Sequence, residues 1–294
     1  MAIVDALLDR FHGRTPIRAG SLVITVFGDA VVPRGGVLSL ESLLEITRAC
    51  RIGDGVVRTA LSRLVADGWF ERWKVGRNSF YRLTPHGRTT FAAATGRIYG
   101  APPPEWDGCF DLLLLDGDGD RPAERAGLAA AGYGALGPDL YLAASPLTAA
   151  GAALRLATRP EDEATARRLA ARAWPLADLA ARYQRFVAAY RDAAEAVAAG
   201  ARPADLDALV IRLLTLHDYR RAVLKDPLLP AALLPEDWPG ATARALCAGL
   251  YRALVPASEQ WLSRHARSEA GPLPRPGPDF RDRFADRVTK NLAY

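Results

Sequence analysis

Arg58, Thr59, Ser62 and Arg63 carry the most pointed chemistry in the chain. If residues 54–67 are helical, Val57, Ala60, Leu61 and Leu64 form an inward stripe, and these four residues face out. Short hydroxyls flanked by arginine forks suit a helix in the major groove, where they reach base edges and phosphates. A second polar group follows at once. Residues 69–74 and 79–83 are strand-like runs around Val75-Gly76-Arg77-Asn78, a hairpin turn signal. On that hairpin Lys74, Arg77, Asn78 and Arg82 would donate to phosphates. This is the chemistry of holding a polyanion, not of making or breaking bonds.

The flanking residues supply the elements that position these groups. Ser39 suits an N-cap for a short scaffold helix in which Leu40, Leu43, Leu44 and Thr47 share a face. Arg51-Ile52-Gly53 breaks that helix, and Asp54 is placed to cap the next. Thr84-Pro85 opens another helix after the hairpin, with threonine as cap and proline in the first turn. Residues 21–32 have the composition of a strand, but their place ahead of the scaffold helix argues for a helix ended by Pro33 and Gly35-Gly36. Helix, helix, recognition helix and hairpin is the order of a winged helix-turn-helix. Residues 2–11 read as a short amphipathic stretch, linked to it by residues 15–20.

Charge agrees with that reading. Residues 51–100 carry nine basic groups against three acidic ones, whereas the 294-residue chain as a whole is +5. The excess is concentrated where the recognition helix and hairpin lie, as a polyanionic partner such as double-stranded DNA requires. Only three lysines are present, so the preference for arginine over lysine carries little information. Cys50, Cys109 and Cys247 are odd in number and far apart, which reads as reduced thiols in the cytoplasm. Asp5 and Asp9 interrupt the first apolar stretch, so it makes a poor signal peptide, and residues 140–154 are too few to span a bilayer. No membrane association is expected.

The chain divides in sequence into an α+β multidomain protein: a winged helix-turn-helix over 1–100, a small ferredoxin-like domain over 101–174 and a helical effector and dimerisation domain over 175–294. Ala101-Pro-Pro-Pro-Glu105 marks the first boundary as a stiff linker. Beyond it, a strand at 110–115, a turn at 116–120, a helix at 121–131, strands at 140–144 and 154–158 and a helix at 161–172 give the ferredoxin-like order. From Pro175 onward the pattern is helical, with helices ending at Gly200, running over 205–224 and beginning near Pro239. The proline- and glycine-rich stretch 268–279 reads as poorly ordered.

Two sites outside the basic module could do chemistry. On the helix over 205–224, His217 and Arg220 project from the apolar face. A buried arginine requires a nearby anion. That anion is either an internal carboxylate (Asp226, Glu236 or Asp237) or a ligand, with Trp238, Tyr183 and Tyr190 as aromatic walls. Asp116, at the end of the 110–115 strand, could hold a metal as in nucleases, but no second carboxylate or histidine accompanies it on that strand and a turn residue is the simpler reading. No histidine–cysteine cluster suggests zinc, and no phosphate-binding or nucleophile motif is present, so no catalytic residue and no cofactor are assigned.

Several segments resemble the PaaX-type phenylacetate-degradation repressors. They are Phe27-Gly-Asp-Ala with Pro33-Arg-Gly-Gly36, Val57-Arg-Thr59, Arg63-Leu-Val-Ala-Asp-Gly-Trp69 and Gly76-Arg-Asn-Ser-Phe-Tyr-Arg-Leu-Thr84. Towards the other end, His217-Asp-Tyr-Arg-Arg221, Asp226-Pro-Leu-Leu-Pro230, Leu234-Pro-Glu-Asp-Trp-Pro-Gly240 and Leu250-Tyr-Arg252 resemble the family's C-terminal domain. The resemblance implies a Cas2-like central domain and a homodimeric repressor of an aromatic catabolic operon. It also implies release from its operator by an aryl-acetyl-CoA effector, phenylacetyl-CoA in the founding members. The rival readings are a metal-dependent nuclease using Asp116 and a regulator governed by a protein partner.

Overall fold

Helical spacing of apolar residues and well-placed caps account for most of the elements in a computed structural model of the chain, which describes residues 2–13, 19–116, 120–145 and 153–285. Helix α1 is Ala2–His12 and α2 is Ala19–Val26. The latter runs on through a π-helical turn, Phe27–Val31, and a 3-10 turn, Val32–Arg34, to Gly35 at φ +86°. The ambiguous 21–32 segment is thus helical: burial of Leu22, Val23, Val26 and Phe27 outweighs their strand preference. Of the expected linker at 15–20, Ala19 and Gly20 already belong to α2, and residues 14–18 lie outside the described residues.

Strand β1, Val37–Ser39, leads into α3, Leu40–Ala49, where Ser39 accepts from the Ser42 amide at 3.2 Å as the expected cap. Helix α4 is Asp54–Ala66, and here the cap differs. Gly53 takes the N-cap position, and Asp54, one residue inside, instead receives both arms of Arg48 at 2.8 and 2.6 Å. A carboxylate in the first turn still complements the helix dipole. Strands β2, Phe70–Val75, and β3, Asn78–Leu83, form a hairpin that closes on Gly76 at φ +60°, and the sheet order is β1-β3-β2. Thr84 caps α5, Pro85–Tyr99, by accepting from the Gly87 amide at 3.0 Å.

Next come β4 (Phe110–Leu115), α6 (Arg121–Ala131), β5 (Gly134–Ala135), β6 (Leu140–Ala143), β7 (Ala153–Thr158) and α7 (Glu163–Ala173). The expected strand, helix, strand, strand, helix order is present, with β5 as an added two-residue strand. Of the expected turn at 116–120, residues 117–119 lie outside the described residues. The sheet order is β5-β6-β4-β7, every pairing antiparallel. Then follow α8 (Leu176–Ala198), α9 (Asp205–Val223), α10 (Gly240–His265) and the short strands β8 (Arg267–Ser268) and β9 (Gly271–Pro272).

By its contacts the chain divides into two compact units. One comprises Pro102–Gln184 and Lys225–Ala241. In it one core joins Phe110 and Leu142 to Ala166, Ala170 and Trp174, and a second gathers Leu113, Leu128 and Tyr141. The other unit comprises Met1–Ala101, Arg185–Leu224 and Thr242–Tyr294. At its centre is α9, which packs on α1, α2, α3 and α5. Because neighbours surround it, residues from Ala208 to His217 are all buried, whatever their direction. The 268–279 stretch, expected to be poorly ordered, is placed against this unit: Leu273 is buried, and Arg283 and Phe284 beyond it are buried or half-buried. Its prolines replace helix with an extended path, and apolar and charged anchors hold that path down.

Candidate nucleic-acid interface, ion network and cavity

Arg58, Thr59, Ser62 and Arg63 are all exposed along one side of α4, while Val57, Leu61 and Leu64 are buried beneath them. The hydroxyls of Thr59 and Ser62 donate to the carbonyls of Gly55 and Arg58, four residues back, at 2.9 and 3.0 Å, which leaves their lone pairs free to accept. On the hairpin, Lys74, Arg77 and Asn78 are exposed too. The side chains of Arg58, Arg63, Lys74 and Arg77 make no hydrogen bond or ion pair with the described residues, so their charges are available to a partner. Arg82 differs from the expectation. Its guanidinium is tied to Glu71 and lies 5.1 Å over the Trp73 ring, so much of its charge is already answered within the hairpin.

The same unit holds a buried ion network centred on Asp29, Arg212 and Glu259. Arg212 on α9 is fully buried. Its Nη1 donates to Glu259 Oε1 at 2.7 Å and Ser258 Oγ at 2.9 Å, and its Nε stands 2.7 Å from Asp29 Oδ2 without hydrogen-bond alignment. Asp29, on the π-helical turn, also accepts from Tyr99 at 2.9 Å, Tyr251 at 3.1 Å and Arg283 at 2.8 Å. Arg283 further donates to the Gly28 carbonyl, with its guanidinium 4.2 Å from the Tyr99 ring centre. Arg34 completes the set by donating to Glu259 Oε2 at 2.8 Å. Burial and the charge of Asp29 push the Tyr99 and Tyr251 hydroxyls well above the usual phenol range.

Beside the network, α2, α5 and α9 line a half-open cavity of about 190 Å³. Phe91, Ala94 and Ile98 line it from α5, Leu216 and Arg220 from α9, with Trp69 forming part of the wall. Arg220 pairs with no carboxylate of its own unit among the described residues. Its Nη2 donates to Ser21 Oγ at 2.9 Å and to the Ser21 carbonyl at 3.2 Å, while its Nε is buried with no partner among the described residues. Burial without a carboxylate pulls its guanidinium down to about 10. The other expected ligand residues are not assembled around it. His217 is buried, its Nδ1 3.2 Å from Thr25 Oγ1 and its ring edge-on to Phe11. The Tyr190 hydroxyl donates to the Leu214 carbonyl and to Asp218 at 2.8 and 2.9 Å. Tyr183 and Trp238 belong to the other unit, where Tyr183 donates to Asp226 at 2.7 Å and their rings meet edge-to-face at 5.9 Å. Asp116 is exposed and stands in no group of three metal-ligating side chains among the described residues.

Residues 18–87 match the PaaX-like protein family, and residues 174–264 match the PaaX-like C-terminal domain. The transcriptional repressor PaaX of Escherichia coli strain K12 is 35% identical over 301 residues, which cover 97% of this chain and 95% of that one. The chain belongs to the PaaX family. The solved structure of an uncharacterised protein from Mycobacterium tuberculosis matches with a TM-score of 0.56 over 81% of this chain and 96% of that one. At 23% identity that likeness shows a shared fold. Within this PaaX-family chain the matched segments include α4 and the hairpin at one end, and α9 with Arg212 and Arg220 at the other. No helix among the described residues is long and apolar enough to cross a membrane.

Proposed function

We propose that this protein is a cytoplasmic transcriptional repressor of an aromatic, phenylacetate-like catabolic operon, which binds double-stranded operator DNA as a homodimer and is released by an aryl-acetyl-CoA effector. In this reading the segment up to Tyr99 is a winged helix-turn-helix, with α4 in the major groove and the β2–β3 hairpin as the wing. The four-stranded unit is a ferredoxin-like, Cas2-like domain, and the C-terminal helices serve effector response and dimerisation. The observation that carries the DNA reading is the exposed polar face: Arg58, Thr59, Ser62 and Arg63 on α4, continued by Lys74, Arg77 and Asn78 on the hairpin. The sign of regulation and the pathway follow the repressor that the chain resembles along nearly its whole length.

The test is a salt-controlled gel shift. Arg58→Ala should lose operator preference, at a cost of about 1–3 kcal/mol for a bidentate base contact. Arg77→Ala should weaken all duplexes alike and flatten the salt slope by about one unit. Operator selectivity that survives Arg58→Ala would remove α4 from the groove. Sedimentation of the free protein should give twice the 31.7 kDa chain mass. A magnesium and manganese series on the same DNA checks the nuclease alternative, for which cleavage that depends on Asp116 would be the decisive result.

A further inference from the structure

The half-open cavity between α2, α5 and α9 is too small for a whole nucleotide. Its volume of about 190 Å³ slightly exceeds the roughly 150 Å³ of an apolar cavity that takes up benzene. That leaves room for one ring or a branched chain with a short polar head. The walls are mostly apolar, with Thr25, Thr90 and Thr95 among them, and the cation on the lining is Arg220. A guanidinium that lines the cavity, with Ser21 as its acceptor and no carboxylate paired to it among the described residues, can still donate to an oxygen acceptor. Asp29 also borders the cavity, but Arg212 and Arg283 already answer its charge.

We propose that this cavity binds a compact acyl group, aryl or branched alkyl, whose carbonyl or carboxylate oxygen accepts from Arg220. The proposal deepens, and rests on, the reading that a small effector governs the protein. The same chemistry could arrive as a free acid or as a thioester whose carrier stays outside. A route from the occupant to the DNA-facing elements is built into the wall. Trp69 lies in the turn between α4 and β2, its amide donating to the Leu64 carbonyl at 2.9 Å and its carbonyl accepting from the Thr84 amide at 3.1 Å. Gly87 on α5 approaches that carbonyl so closely that an added Cβ would lie 2.5 Å from it. An occupant that moves the Trp69 ring therefore moves the joint between α4 and the hairpin. It shifts DNA affinity by as much as it prefers one arrangement of that joint.

The experiment uses the full-length protein with phenylacetate, phenylacetyl-CoA and coenzyme A alone as probes, read by calorimetry and tryptophan fluorescence, with operator binding measured on the same samples. At least one acyl probe should bind and coenzyme A alone should not. Ala94→Phe, which fills the cavity, and Arg220→Gln, which removes the charge, should each weaken binding tenfold or more while the melting temperature stays close to wild type. Should Ala94→Phe fail to fold, Ala94→Leu fills less of the cavity and should show a smaller loss of the same sign. Binding of phenylacetate identifies the free acid as the source; binding of the thioester alone identifies the carried acyl group. The proposal is overturned if neither acyl probe binds at millimolar concentration, if coenzyme A alone binds as tightly as the thioester, or if folded variants bind like wild type. Variant-sensitive binding with unchanged operator affinity would uphold the cavity and sink the release reading. Operator release unaffected by the variants would do the reverse.

Discussion

Asp29→Asn tests whether the buried network holds its unit together by charge balance or by packing alone. Three arginines (Arg34, Arg212 and Arg283) face two carboxylates (Asp29 and Glu259), so the cluster carries one excess positive charge. The substitution keeps the shape but doubles that excess, and it leaves Arg283 with no carboxylate among the described residues. An uncompensated buried charge costs about 3–5 kcal/mol, and Asp29 also accepts from two tyrosines, which places this variant near 4. Arg212→Met removes a larger side chain but leaves one arginine for each carboxylate: Asp29 keeps Arg283, and Glu259 keeps Arg34. Its cost should therefore be smaller, about 2 kcal/mol, mostly from lost hydrogen bonds to Ser258 and Tyr251. Against a total stability of about 5–15 kcal/mol the difference is easily read in urea unfolding followed by circular dichroism. Adding Arg283→Met to Asp29→Asn returns the excess to one and should recover part of the loss, as a double-mutant cycle would show. The reasoning is refuted if Asp29→Asn costs under about 1 kcal/mol, or if Arg212→Met is the costlier change.

Thiol titration at pH 8 without denaturant should find one reactive group per chain, the half-exposed Cys109, because burial pushes the Cys50 thiol up to about 12 and raises that of Cys247 as well. Two or three fast-reacting thiols would contradict the packing around α3 and α10. If Arg220 holds the acyl oxygen, its cationic form is the one that binds. Affinity should then stay level from pH 7 to pH 9 and fall as pH rises through about 10, and a fall already complete by pH 8 would assign the contact to another group.

The elements from α3 to α5 were legible because local rules fix them. Ser39 and Thr84 cap where short oxygen side chains should, and Gly76 closes the hairpin at a positive φ that glycine permits. The surroundings of α9 were not legible from a helical wheel. A wheel assumes one wet face, and this helix has none from Ala208 to His217. The missed signal was a pair of misfits: one arginine inside the apolar run Leu209–Leu214, and one aspartate inside Val26–Val31. Neither can be buried alone, so each predicts the other, although 183 residues separate them. The wheel did place Arg220 correctly on an inward direction, but it could not show that Ser21, not an acid, would meet it. Composition misled over the tail, because proline content speaks to helix and not to anchoring by Arg283 and Phe284.

The unit that contains α4 is discontinuous, drawing on the chain up to Ala101, on Arg185–Leu224 and on the stretch from Thr242 onward. During synthesis the first hundred residues emerge with Asp29 and the inner faces of α2 and α5 still lacking α9, and Arg283 arrives later still. The groups proposed to touch DNA therefore sit on a scaffold that cannot close until α9 and the stretch from Thr242 onward have been made. A nascent or truncated chain is a poor competitor for the operator, and a fragment ending at Ala101 should aggregate where the whole chain does not.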